Sequence, residues 1–241
     1  MRWRGILLTV AALGSTGWLA VTGRLDLYVN PRYIAFTVVL ALVALVALVI
    51  GTAVRRPDAE GAEPPGRAGR LAGIVVTVLC GTLAAAMVLL PPATLSSATA
   101  TARQVAAPAA ASSDVQDDDL QTGSTASFSV KDWAALLGQT SDASFWTGRT
   151  ADVIGFVTPD SDDPDDVFYV TRFVVTCCAV DAQPVGVPVY SPGWASDGIA
   201  ADDWVEVEGA FGVDPGASAA AIVLVPTAVT PTEQPDDPYL Y

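Results

Sequence analysis

No histidine occurs anywhere in the 241 residues. Its absence removes Ser-His-Asp and Cys-His catalysis, HExxH metalloprotease sites and every imidazole metal site. Charge is scarce as well: Asp, Glu, Lys and Arg make up 16 % of the chain, against about 25 % in a soluble globular domain. Positive charge is the scarcer sign, with 12 Lys and Arg against 26 Asp and Glu and a formal net charge of −14. A chain of that balance is poorly equipped to neutralise phosphates, so no nucleic acid is expected as a partner. There is no GxSxG nucleophile motif and no Gly-rich phosphate loop. The chain is therefore not expected to be an enzyme. What the sequence has in excess is apolar, at a mean hydropathy of +0.44.

The charges divide the chain. Residues 1–103 hold nine Arg and four acids, whereas residues 104–241 hold three basic residues and 22 acids. The basic part, residues 1–92, contains three uncharged apolar runs, at 5–23, 33–54 and 71–90. About 20 helical residues at about 1.5 Å each cross a hydrocarbon core of about 30 Å, so each run qualifies as a spanning helix. Residues 5–23 have a second reading as a cleaved signal peptide, with Arg2 and Arg4 as its basic head. Arg2, Arg4, Arg55, Arg56, Arg67 and Arg70 fall on one side of a three-span topology, and Arg24, Arg32 and Arg103 on the other. Cytoplasmic loops are enriched in Arg, so the N-terminus is expected in the cytoplasm and the acidic half outside the plasma membrane. No span carries an internal ionisable residue except Cys80, and the spans offer no transport path by themselves.

Residues 93–126 are rich in Ala, Ser, Thr, Pro and Asp and are expected to be a disordered linker. Residues 127–231 read as an all-β domain. It opens with a short helix at 130–137, for which Ser129 is the expected N-cap and Asp132 the third helical residue. The period then changes to two. Strands are expected at 152–158, 167–177, 185–190, 204–211 and 221–229. Gly155 inside the first suggests a bulge or bend, and Pro188 suggests an edge or strand end. Val205 and Val207 face in, with Glu206 and Glu208 out. Five short strands suggest a small barrel of the oligonucleotide/oligosaccharide-binding (OB) kind. An immunoglobulin-like sandwich, which wants about seven, is the alternative. Residues 232–241 are expected to be a loose acidic tail.

Two features carry chemistry. Cys177 and Cys178 adjoin one another at the end of the longest expected strand, where they point to opposite faces. Three readings stay open. As buried side chains they are small hydrophobes. As a redox pair they are strained, because neighbouring Cα atoms stand about 3.8 Å apart and disulfides prefer about 4.4–6.8 Å. As thiolates they take zinc or another soft metal ion, with Asp181 adding an oxygen if the chain turns after Thr176. A closed zinc site needs about four ligands, so a complete one calls on water, a backbone oxygen or another protein. The second feature is the run Asp160, Asp162, Asp163, Asp165 and Asp166. It lacks the EF-hand's central Gly and terminal Glu and reads as a solvated hairpin tip. Asp152 and Asp181 have the chemistry for acid–base work, but nothing in the sequence brings them together.

The segment RFVVTCCAVDAQPVGVPV, with DDWVEVEG downstream and an apolar N-terminal region, resembles the small-subunit family of a bacterial two-component permease. The signature is carried by Cys177, Cys178, Ala179, Asp181, Ala182, Gln183 and Pro184. The resemblance implies a membrane complex with a larger multi-spanning permease subunit and a link to metal supply. It assigns no catalytic residue. The expected function is thus a non-catalytic accessory subunit of a permease, in contact with membrane lipid, whose outer β domain handles a metal ion through Cys177, Cys178 and Asp181. The alternative is a membrane-anchored thiol redox or metal-carrier protein acting without a permease.

Overall fold

The computed structural model describes residues 2–53, 74–75, 78–79, 81–82, 94–103, 125 and 127–241. The chain divides into two compact units, Met1–Ala93 and Thr94–Tyr241.

In the first unit, helix α1 (Arg2–Val21) packs against helix α2 (Pro31–Ala53) through a tight turn at Leu25–Leu27. Asn30 caps α2: its Oδ1 accepts the Arg32 N–H at 3.0 Å. Pro31 takes the first helical position, where its missing N–H costs nothing. Within α2, Pro31–Thr52 has a mean hydropathy of 3.0 and contains no buried residue. A helix apolar on all sides needs an apolar environment around it. This stretch is long and apolar enough to cross a membrane, and a signal sequence near an N-terminus meets the same test. It is the one such helix among the described residues; the apolar part of α1, Leu8–Val21, is shorter. The described residues thus show one or two of the three expected spans. Most of residues 71–90, including Cys80, lies outside the described residues, and the described part is helical.

The second unit is built on a six-stranded sheet: β1 (Thr150–Pro159), β2 (Val167–Val174), β3 (Gln183–Tyr190), β4 (Trp204–Val213), β5 (Ile222–Pro231) and β6 (Tyr239–Leu240). β1 pairs antiparallel with β4 from Thr150 to Phe156, then with β2 from Phe156 to Pro159. β2–β3 and β4–β5 are antiparallel, and β3 meets β5 in parallel at the single bridge Val189↔Leu224. The pairings therefore run in a circuit, β1–β4–β5–β3–β2 and back to β1. Pro188 fits this arrangement: it has no N–H to donate, and on its β5 side β3 forms only that one bridge. The alternation read from β4 is present, with Val205 and Val207 buried and Glu208 exposed. The core gathers Trp133, Trp146, Phe168, Val187, Val205 and Leu224. Trp133 comes from α4 (Val130–Gln139), which follows α3 (Ser97–Ala102) and precedes the short α5 (Ala143–Trp146). The expected cap of α4 is present: the Asp132 Oδ2 accepts the Ser129 N–H at 2.8 Å and its hydroxyl at 2.7 Å.

Three expectations are corrected. The linker is ordered at its start. Residues 94–103 contain α3, which packs on β1 and β2 and buries Ser97 and Ala100. Asp202 Oδ1 accepts the Ser97 N–H and the Tyr239 hydroxyl accepts the Leu95 N–H. Residues 104–124 lie outside the described residues. The tail is not loose: Tyr239 and Leu240 form β6, parallel to β2 at Phe173 and Val174. This is the edge of β2 that β1 has left beyond Thr171, so β6 satisfies backbone groups that would otherwise be open. Finally, β2 stops at Val174 and the cysteines lie beyond it.

Arg172 holds the tail in place. It is 9 % exposed and donates to three carbonyls, of Ile154, Asp237 and Pro238. Its guanidinium also lies 5.2 Å from the Trp204 ring centre. Arg172→Ala is expected to cost about 2 kcal/mol or more, because it leaves those carbonyls without donors. Chemical denaturation measures the loss. Faster carboxypeptidase trimming of residues 237–241 in the variant would locate it, and unchanged trimming would refute the anchoring role.

Candidate functional site

The cysteines occupy the turn between β2 and β3. The Val175 N–H reaches the Leu240 carbonyl at 2.8 Å, which is the last regular bond on that side. The chain then folds back, and the Asp181 N–H closes on the Cys178 carbonyl at 3.0 Å. The Asp181 carboxylate organises the turn. It accepts the backbone N–H of Thr176 at 3.2 Å, of Cys177 at 2.8 Å and of Cys178 at 3.4 Å. An Asp side chain that gathers N–H groups a few residues away is a local alternative to strand pairing, and here it ends the strand.

This turn undoes the opposed orientation expected of two neighbours in a strand. The Sγ atoms stand 3.7 Å apart. One ligand atom each from Cys177, Cys178 and Asp181 lie within 4.8 Å of one another. Cys177 is exposed and Cys178 half-buried, and both are free thiols. Neither belongs to the core, so the packing reading is set aside. The electrostatics follow from the same contacts. The neighbouring Asp181 carboxylate and the adjacent Cys178 sulfur push the Cys177 thiol up to about 12. The Cys177 thiol and the three backbone N–H groups hold the Asp181 carboxyl below its usual range. The Cys177 proton is therefore retained at neutral pH, and a protonated thiol is a poor nucleophile in disulfide exchange. A thiophilic cation works differently, because it displaces the proton as it binds.

Sequence reasoning missed Arg103. At the end of α3, its guanidinium donates to the carbonyls of Ala182 and, at 3.4 Å, Val180, the two residues flanking Asp181. It is 79 positions from Ala182, and no local pattern announces such a contact. Arg172, near the end of β2, turns instead to the C-terminal carbonyls.

The other candidates are placed elsewhere. Asp160 is 4 % exposed, and its Oδ1 accepts the N–H groups of Asp162 at 2.7 Å and Asp163 at 2.8 Å. It also accepts a hydrogen bond from Tyr169, whose phenol is driven upward by burial and by that carboxylate. Asp160 is thus a turn anchor. Asp162 and Asp165 are exposed, and Asp163 and Asp166 half-buried. Asp152 stands opposite Glu208 on β4 and is not part of the cluster around Asp181. Residues 112–241 match a family described as the DUF1980 C-terminal domain. No curated protein matches the chain.

Proposed function

The chain belongs to the DUF1980 C-terminal domain family, and we propose that it is a non-catalytic accessory subunit of a membrane permease complex whose β domain handles a soft metal ion. In this reading the N-terminal helices lie in the plasma membrane as a multi-pass region, with the N-terminus cytoplasmic and the β domain outside, and dock on a larger multi-spanning subunit. The observation that carries the metal role is the convergence of Cys177, Cys178 and Asp181 within 4.8 Å on one turn. The exposed apolar residues of Pro31–Thr52 support a membrane location, and the resemblance carried by the CCAVDAQP segment supports the permease. The circuit of strand pairings, with β3 and β5 parallel, supports an OB-like barrel as the platform for the turn.

Mild-detergent purification of the tagged full-length chain from its own membrane tests the assignment. A stoichiometric multi-spanning protein is the expected companion. Purification alone or as a homo-oligomer would overturn the accessory role. It would favour the second reading, a membrane-anchored thiol protein that carries metal or electrons unaided. That reading has its own support, since all three ligating side chains come from one turn of one chain.

A further inference from the structure

We infer that the turn is an exchange site for a tetrahedral divalent ion of the zinc type, held by Cys177, Cys178 and Asp181 and completed by a fourth ligand from outside the turn. The inference rests on the metal-handling reading above and adds to it the geometry of the ion and the mode of its release.

The sulfur separation selects the geometry. Two thiolates on a tetrahedral ion, each at about 2.3 Å, stand about 3.8 Å apart, whereas a linear two-coordinate ion with similar bonds spreads them to about 4.6 Å. The Sγ atoms are already 3.7 Å apart. A tetrahedral ion therefore fits the present sulfur separation, and a linear one has to force the thiols apart.

The third ligand is prepared in the same way. A carboxylate has about four acceptor sites. In Asp181 three of them face the N–H groups of Thr176, Cys177 and Cys178, which leaves one for a further partner. When the ion binds, both thiol protons leave to solvent, and the fourth acceptor site serves the metal. The three backbone bonds need not break, and the carboxylate oxygen, within 4.8 Å of both sulfurs, closes toward the ion.

Three protein ligands leave one position open. Among the described residues no further Cys, Asp or Glu joins the cluster. Closed four-ligand sites are structural, and three-ligand sites keep an exchangeable position. Here that position borders the exposed Cys177, where water or a donor from another protein has access. Charge agrees with an exchange role. Two thiolates and a carboxylate around a divalent cation leave one negative charge. The Arg103 guanidinium, bonded to the carbonyls on either side of Asp181, offsets it from within the unit.

The test uses the full-length chain in mild detergent, reduced and anaerobic, titrated with Co²⁺ alone. One equivalent is expected to bind, with a thiolate-to-cobalt charge-transfer band in the near ultraviolet and the intense visible bands of a tetrahedral ion. Zn²⁺ should abolish both, and added imidazole should shift the visible bands by entering the open position. Cys177→Ser and Cys178→Ser should each remove about half of the charge-transfer intensity while leaving the Asp181 hydrogen bonds to the backbone in place. Asp181→Asn should weaken binding at least about tenfold. Pale octahedral bands, a spectrum indifferent to imidazole, or binding of Cu⁺ with none of Co²⁺ would each overturn the inference. The companion found on purification is a separate observation, so failure here is distinguishable from failure of the permease assignment.

Discussion

Asp181→Ala is expected to accelerate alkylation of Cys177 at neutral pH by about tenfold or more. The wild-type thiol is held up at about 12 chiefly by the neighbouring Asp181 carboxylate. Without that carboxylate the thiol returns toward its ordinary range, and the thiolate fraction rises by orders of magnitude. The fall in intrinsic nucleophilicity with pKa offsets only part of this gain. Iodoacetamide labelling followed by peptide mass spectrometry reads the rate at Cys177 directly. An unchanged rate would show that Asp181 does not hold the thiol up. The same pair predicts a pH window for the turn. The thiol's pKa is raised, so its contribution to order is complete below the ordinary thiol value of 9.0 and is lost as pH climbs toward about 12. The Asp181 pKa is lowered, so its contribution is complete above 3.8 and is lost below that. The turn should be best ordered between those limits, which the amide signals of Thr176, Cys177 and Cys178 in an NMR titration would reveal.

Gly155→Val is expected to prevent the β unit from folding. A Cβ at Gly155 would stand 2.6 Å from the Thr171 carbonyl oxygen and 2.9 Å from a Val170 methyl. The first neighbour is backbone in the middle of β2 and has nowhere to go. The crowding has a topological origin: β1 leaves β4 and joins β2 at Phe156, one residue on, and the two strands cross closest there. Gly209 repeats the arrangement at the irregularity between β4 and β5, where a Cβ would meet the Val225 carbonyl oxygen at 2.5 Å. Even Gly155→Ala should cost at least about 3 kcal/mol by overpacking. Gly212→Ala is the control, since its nearest new contact is an ordinary 3.7 Å, and it should be neutral or slightly stabilising. Thermal unfolding of the three variants orders them. A Gly155→Ala protein as stable as wild type would show that the crossing is looser than described.

Features written over a few neighbouring residues were legible without the fold. The apolar run that became α2 needs only its own length and hydropathy. Ser129 and Asp132 announce the start of α4 because both halves of the cap lie within one turn of helix. The alternation from Val205 to Glu208 follows from a period of two and one buried face. Gly155 was marked as a bend by its place inside a β-rich run, though not by the neighbour that requires it.

What escaped that reading depends on distant backbone groups. The run from Val174 to Cys178 has the composition of a strand, and propensity alone extends β2 through it. It ends at Val174 because the Asp181 carboxylate collects the N–H groups of Thr176, Cys177 and Cys178. Residues 94–103 and 237–241 are polar or Pro-rich and read as unstructured, since neither has an apolar period of its own. Each is ordered by partners far along the chain, Tyr239 and Asp202 for the first and Arg172 and β2 for the second. The thiol pair likewise was visible as two letters, while its 3.7 Å separation, its Asp181 partner and its Arg103 neighbour arise only when the hairpin closes. Composition and local period are properties of a segment. A hydrogen bond between groups scores of residues apart exists only after the chain has brought them together, so the candidate site belongs to the fold more than to the motif.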